Sequence, residues 1–137
     1  MNSFDVLTVS GSALEAQRRR MNVIASNLAN AQSTRTEEGG PYKRRDVVFV
    51  STTVGDNSAG MKGVKVADVV TDGKPPKPIY DPGHPDANEE GLVMMPNINP
   101  MEEMVNMMMA MRAYEASVSA YNTAKAMMQK SLELGRA

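Results

Sequence analysis

Cysteine and tryptophan are absent from the 137-residue chain, and aromatic residues make up only 4% of it. Without cysteine the chain forms no disulfide and offers no thiol nucleophile, although the absence is compatible with any compartment, including an oxidising one. A compact core for a chain of this size would usually hold more large rings. The formal net charge is −1, so no overall electrostatic field favours nucleic acid or an anionic membrane surface as a partner.

Long hydrophobic runs are missing as well. No apolar stretch approaches the roughly 18 residues that a membrane-spanning helix requires, so we expect no direct membrane span. The N-terminal residues lack the basic and apolar regions of a secretory signal. A function outside the cytoplasm would therefore require a route that needs no cleaved signal.

Catalytic and metal-binding patterns are also lacking: the sequence has no nucleophile elbow, P-loop, Rossmann glycine pattern or zinc-ligand spacing. The single histidine, His84, lies in a Pro-Gly-His-Pro turn, and one histidine without cysteine cannot build the usual zinc site. The acidic residues around it are expected to be solvated rather than paired for acid–base chemistry; they are Asp81, Asp86, Glu89 and Glu90. We expect no enzyme, no cofactor and no metal.

Methionine is abundant instead, and eight of the 13 methionines fall between Met101 and Met128. This region reads as one long helix, in which Asn99 serves as N-cap, Pro100 occupies the first helical position and Gly135 ends the helix as a C′ residue. Its heptad a/d positions are Met104, Met107, Met111, Tyr114, Val118, Tyr121, Lys125, Met128 and Leu132. Because all but Lys125 are apolar, the pattern predicts a helical seam rather than a thioether site for Cu(I).

A second face of the same helix carries small side chains at every third or fourth position. These residues are Ala110, Ala113, Ser117, Ala120 and Ala124. Small side chains allow another helix backbone to approach closely. Two usable faces predict more than one helical neighbour. Because a chain this short has few helices, we expect some of those neighbours on other subunits.

Residues 3–30 form the second helical pattern. The apolar residues Leu7, Leu14, Met21 and Leu28 recur every seven positions, and Ile24 lies on the same side. Gly11 costs about 1 kcal/mol of helix propensity relative to alanine, and a close backbone contact is one reason to tolerate it. The basic run 18–20 is expected to be solvated, an inter-subunit ion-pair cluster being the alternative.

The middle of the chain reads as short β structure. Strands are predicted at residues 46–54, 63–70 and 91–95, and the proline-rich stretch 73–91 between the last two is expected to be an irregular, partly extended arm rather than a helix. The predicted fold class is mainly α, with long terminal helices pairing as a coiled coil around a small irregular β-rich middle. The predicted divisions are an N-terminal axial helix at 1–31, a middle segment at 32–98 and a C-terminal axial helix at 99–137.

The N-terminal helix also carries a recognisable motif. Residues 11–17 and 21–31, which include Ser26, Asn27, Leu28, Ala29 and Asn30, closely resemble the N-terminal signature of bacterial flagellar axial proteins. The stretches 40–49, 63–69, 80–85 and 91–97, together with 103–106, narrow the resemblance to a proximal rod subunit. Residues 33–39 depart from the ending of the general signature.

The resemblance implies that the terminal helices pack as a coiled coil around a hollow axis, against copies of the chain and other rod subunits. It further implies contact with basal-body ring components, passage through the flagellar export apparatus without signal cleavage, and a torque-transmitting rod in the periplasm. The alternatives are a different rod or axial subunit and a cytoplasmic coiled-coil adaptor. Secretion from living cells would distinguish an axial subunit from the adaptor.

Overall fold

A computed structural model describes residues 3–55 and 60–136 of the chain. Within these residues, two long helices flank four strands. The elements in chain order are α1 (Ser3–Ala29), β1 (Arg45–Thr53), β2 (Lys62–Thr71), β3 (Lys77–Tyr80), β4 (Leu92–Met95) and α2 (Pro100–Gly135). The predominance of helix around a β-containing middle agrees with the prediction from sequence.

The start of α2 is fixed by local chemistry. The Asn99 side chain accepts a hydrogen bond from the Met101 backbone N–H at 3.1 Å, and Pro100 is the first helical residue, which confirms the predicted cap. The other end differs from the prediction. Gly135 is the last residue of the helix rather than a left-handed residue beyond it, and the C-cap is Arg136, whose N–H bonds to the Glu133 carbonyl.

The two helices lie against each other. A side-chain hydrogen bond of 2.9 Å joins Asn27, near the end of α1, to Glu103, near the start of α2, so the helices run antiparallel. With 27 residues in α1 and 36 in α2, a rise of about 1.5 Å per residue makes them about 40 and 54 Å long. The last turns of α2 therefore extend beyond the start of α1.

The strands form two separate antiparallel hairpins. In the first, Arg45 faces Thr71 and Thr53 faces Lys62, with a β-bulge at Ala67 because Val48 and Phe49 pair with the residues on either side of it. In the second, β3 pairs with β4 over four residues each. The stretch 73–91, expected to be an irregular and partly extended arm, contains the short strand β3, and an edge strand can accommodate a proline such as Pro78.

The first hairpin packs on α1 at a point of close approach. The Ser12 hydroxyl donates to the Val9 carbonyl of its own helix and accepts from the Val64 N–H at 3.1 Å. Gly63 is buried beside it, and a Cβ there would lie 2.8 Å from the Ser12 oxygen. The hairpin therefore reaches α1 only because position 63 has no side chain.

The core is small. Among the described residues, the buried apolar side chains are Ala16, Ile24, Tyr42, Val93, Ile98 and Ala110. Most of them come from the second half of α1, the first turns of α2 and the segments that lead into β1 and α2. The best-packed part of the molecule is thus the end at which the two helices meet the middle segment.

Candidate functional site: helix faces and a buried polar junction

One face of α2 is consistently less exposed than the rest of the helix. It consists of residues spaced alternately by four and three, which we call the inner row: Glu103, Met107, Ala110, Tyr114, Ser117, Tyr121, Ala124 and Met128. Because α1 is the element in contact with α2, the inner row faces α1. From Met107 onward, large and small side chains alternate along it.

The predicted seam and the predicted small-residue face of α2 are interleaved in this row. Of the nine predicted seam residues, four lie in the inner row and Val118 is half-buried beside it. The other four are exposed: Met104, Met111, Lys125 and Leu132. Of the small residues, Ala110, Ser117 and Ala124 lie in the row, Ala113 is half-buried and Ala120 is exposed. The inner row therefore coincides with the predicted seam at every second position and lies one residue earlier at the positions between them.

The apolar residues of α1 that the seven-residue pattern identifies are at least partly covered, whereas Phe4 is 64% exposed. Ile24 is buried, and the four residues spaced by seven, Leu7, Leu14, Met21 and Leu28, are half-buried. Gly11, by contrast, has open space where a Cβ would stand. No close backbone contact explains this glycine among the described residues.

The opposite side of α2 exposes apolar side chains over its first three turns. We call this surface the methionine face; it consists of Met101, Met104, Val105, Met108 and Met111, each 47–68% exposed. The spacing places these residues on one side of the helix. A contiguous exposed apolar patch of this kind marks an interaction site.

A buried polar junction holds the end of α1, the start of β1 and the start of α2 together. Asn27 is 0% exposed and makes four hydrogen bonds. Its Nδ2 donates to the Arg45 carbonyl at 2.8 Å and to the Glu103 carboxylate at 2.9 Å. Its Oδ1 accepts from the Arg45 N–H at 3.0 Å and the Tyr42 hydroxyl at 3.2 Å. One amide thus satisfies groups from three segments of the chain.

Glu103 supplies the charge of the junction. It is 1% exposed, and its Oε1 accepts a hydrogen bond of 2.7 Å from Arg44 Nε. Partial burial lowers the pKa of the Arg44 guanidinium, but the hydrogen bonds and charges of Glu103 and Asp46 outweigh it and raise the pKa overall. Arg44 therefore remains charged, and the ion pair is charge-assisted.

The remaining residues of the N-terminal motif support the same corner. The Ser26 hydroxyl lies 3.2 Å from the Tyr42 hydroxyl, and Asn30 Nδ2 donates to the Ser26 carbonyl at 2.9 Å. Leu28 is half-buried and Ala29 is exposed. Sequence reasoning singled out the motif but missed Arg44 and Glu103 as its partners. The available signal was the position of Glu103, a carboxylate that continues the otherwise mostly apolar inner row of α2.

The loop between β3 and β4 is tied to the segment after α1. Asp86 accepts hydrogen bonds of 2.7 Å from the Thr34 hydroxyl and from the Arg35 guanidinium. The Thr34 hydrogen bond is the main reason that the pKa of Asp86 is lowered, with Arg35 and His84 contributing. The expectation that Asp86 is simply solvated was wrong, whereas Asp81, Glu89 and Glu90 are exposed as expected.

Within residues 3–55 and 60–136, no group of three or more histidine, aspartate or glutamate side chains is arranged to hold a metal ion. Neither helix, over the part that the structure describes, is long and apolar enough to cross a membrane. The features that remain are two helix faces and a polar junction.

Comparison with known proteins identifies the class to which these helices belong. Residues 7–35, which cover most of α1, match the family described as flagella basal body rod protein. Residues 89–134, which cover β4 and almost all of α2, match the C-terminal family of flagellar basal body rod FlgEFG proteins. Both ends of the chain therefore have the character of flagellar rod proteins.

Full-length relatives are more specific. The chain is 48% identical to flagellar basal-body rod protein FlgC of Escherichia coli O6:H1 and 46% identical to FlgC of Salmonella typhimurium, each over 99% of this chain and 98% of the relative. It is 42% identical to FlgC of Bacillus subtilis, over 99% of this chain and all of the relative. The chain belongs to the FlgC family of flagellar basal-body rod proteins. It is a structural rod subunit of the flagellar basal body and not an enzyme.

Proposed function

We propose that the chain polymerises through its terminal helices into the proximal part of the rod and transmits torque across the periplasm as part of the drive shaft. The observation that carries this proposal is the methionine face, where five large apolar side chains of one helix stand 47–68% exposed. Burying such a surface is favourable by about 25 cal/mol per Å². A neighbouring subunit is the natural cover for it.

We further propose that α1 and α2 pair as a coiled coil. The alternating spacing of four and three in the inner row supports this pairing, as does the seven-residue spacing of the apolar residues of α1. The functional divisions proposed are those predicted from sequence: axial helices at 1–31 and 99–137, and an outer segment at 32–98. In this arrangement the inner row of α2 packs against α1 of the same chain, and the methionine face packs against neighbouring subunits.

The proposed partners are copies of the chain and other rod subunits, with further contacts to ring components of the basal body and to the flagellar export apparatus. Membership of a rod-protein family supports the first two partners most directly. We propose that the subunit reaches the periplasm through that apparatus without cleavage of a signal.

The first test places a charge on the methionine face. We expect Met108→Glu to abolish incorporation into isolated basal bodies and to stop swimming, because a buried unpaired carboxylate at a subunit contact is strongly unfavourable. Export of the subunit into the medium should continue. Asn122→Glu is the matched control, since it adds the same charge to an exposed, already polar position of α2.

Swimming and normal incorporation of the Met108→Glu subunit would contradict the assignment of this face. Failure of both variants to fold, seen as loss of helical circular dichroism, would instead show that the substitution acts within the subunit. Retention of the unmodified subunit inside cells that export other rod proteins would favour the cytoplasmic adaptor.

A further inference from the structure

We propose that the buried pair of Asn27 and Glu103 fixes the axial register of α1 against α2, and that the apolar packing of the two helices does not. This inference concerns the fold of the single subunit and does not depend on the proposed mode of polymerisation. It rests on a repeat of large apolar side chains that is present on both helices and on a buried polar pair that is not repeated.

The large apolar side chains that repeat along both helices meet similar partners after a shift of seven residues. On α1, the half-buried residues spaced by seven are all of similar size: Leu7, Leu14, Met21 and Leu28. On α2, the large members of the inner row are Met107, Tyr114, Tyr121 and Met128. Displacing one helix along the other by one heptad, about 10 Å, brings similar side chains opposite one another. These repeating side chains therefore distinguish the two registers poorly, and the buried Ile24, which has Gln17 seven residues before it, is an apolar exception on α1.

The other four members of the inner row, also spaced by seven, do not repeat. From the start of α2 the row reads Glu103, Ala110, Ser117 and Ala124. Only the first member carries a charge, and only it reaches the α1 amide. In the described structure the Ser117 hydroxyl is bonded to the Ala113 carbonyl of its own helix at 2.8 Å, so it contributes no directional contact with α1.

Asn27 is equally singular on α1. The positions seven and fourteen residues before it are Arg20 and Ala13, and neither can reproduce the two donors and one acceptor that the amide presents. A displacement of one heptad would place Asn27 opposite Ala110, which has no side-chain acceptor. The amide would lose its bond to Glu103, and the Glu103 carboxylate would lose the amide.

The directional bonds of the junction therefore favour one register, as a single buried polar residue does in a coiled coil. Arg44 and Arg45 extend this selection to the first hairpin, because Glu103 holds the Arg44 guanidinium and Asn27 holds both backbone groups of Arg45. Every subunit then presents its exposed α2 surface at the same height relative to its β segment.

The experiment measures the register directly in the full-length chain. Because the sequence has no cysteine, Glu15→Cys and Met101→Cys provide two unique nitroxide sites at exposed positions of α1 and α2. Double electron–electron resonance, recorded on labelled protein diluted with unlabelled protein, reports the distance within one subunit. The unmodified junction should give a single narrow distribution.

We expect Glu103→Ala to add a second discrete distance, displaced by several ångströms, because the substitution makes position 103 equivalent to position 110. Glu103→Gln keeps an acceptor for Asn27 and should restore the single distribution. Ser117→Ala changes the same row without touching the junction and should leave the distribution unchanged.

A single unchanged distance in Glu103→Ala would overturn the proposal, since apolar packing would then be sufficient to set the register. A broad, featureless distribution with loss of helical circular dichroism would overturn it as well, because Glu103 would be required for folding rather than for register. Two distances in both Glu103→Ala and Ser117→Ala would assign register to the whole row instead of the junction.

Discussion

Asn27 illustrates how one amide side chain can be required at a buried position. Burying a polar group is unfavourable unless its hydrogen bonds are satisfied, and all four bonds of this amide are made. Aspartate at position 27 would present no donor to Glu103 and would place a second carboxylate against it. Leucine would leave the N–H and the carbonyl of Arg45 without partners.

We predict that Asn27→Ala lowers the free energy of unfolding by about 3 kcal/mol, because it leaves buried donors and acceptors unpaired at about 1–3 kcal/mol each. Urea denaturation followed by circular dichroism measures the change. Asn22→Ala is the control, since Asn22 lies on an exposed position of the same helix and should change stability by less than about 0.5 kcal/mol. Equal effects of the two substitutions would contradict the role assigned to the junction.

The bond of Asp86 to Thr34 and Arg35 should depend on pH. The pKa of Asp86 is lowered in the folded chain, so its contribution to stability is complete above the unfolded pKa of about 4 and is lost as the pH falls through the lower folded pKa. Asp86→Asn should therefore be less stable than the unmodified chain at pH 6, and the difference should shrink as the pH falls below about 4. A difference that is constant from pH 6 to pH 2.5 would show that the charge of Asp86 does not stabilise this loop.

At the scale of elements, the sequence predicts the two helices well because their signals are local and long. The heptad spacing, Asn99 and Pro100 locate α2 to within a residue or so. The face of α2 that meets α1 could not be predicted, because the predicted seam and the inner row share half of their positions. The shared residues are Met107, Tyr114, Tyr121 and Met128, and the remaining positions differ by one residue. The frame that faces α1 is set by the small residues and by Glu103, whose hydrogen bond to Asn27 is a tertiary contact that local sequence does not reveal.

The middle segment shows the opposite balance. The strands β1, β2 and β4 are predicted by β-branched and apolar runs, but β3 is missed because the prolines around it favour irregular structure. Eleven residues separate β3 from its partner β4, and local propensity contains no information about that pairing. The same limit explains why Glu103 and Arg44 were not recognised as partners of the N-terminal motif.

Two glycines of different surroundings test how the elements fit together. Gly63→Ala should lower the free energy of unfolding by about 1–3 kcal/mol, because its Cβ would lie 2.8 Å from Ser12 Oγ and 3.0 Å from Val54 Cγ2. Gly11→Ala should raise it by about 0.5–1 kcal/mol, because Gly11 lies within a helix and has nothing within 4 Å of the added carbon. Thermal unfolding of both variants decides the matter, and a shift of the same sign in each would contradict the packing described.

At the scale of the whole molecule, burial is concentrated at one end. The buried residues of α2 are Glu103 and Ala110, and from Gln129 to Arg136 every position is exposed. The free end of α2 also extends beyond the start of α1. Helices gain most of their stability from tertiary packing rather than from propensity, so the cost of ordering the backbone is offset near the junction and much less so at the far end.

The isolated subunit should therefore be ordered from the junction outward. We predict that amide hydrogen exchange in dilute monomer is slowest between Glu103 and Ala110 and becomes progressively faster toward Leu134, because local opening is easiest where few apolar contacts are made. Assembly should slow exchange in that outer part of α2 and raise the helical circular dichroism, as neighbouring subunits cover it. The β1–β2 pairing serves as an internal control, since its amide protection should change much less. If the last turns of α2 are already as protected in the monomer as the turn containing Glu103, then the terminal helix is stable on its own, and assembly does not supply the missing contacts.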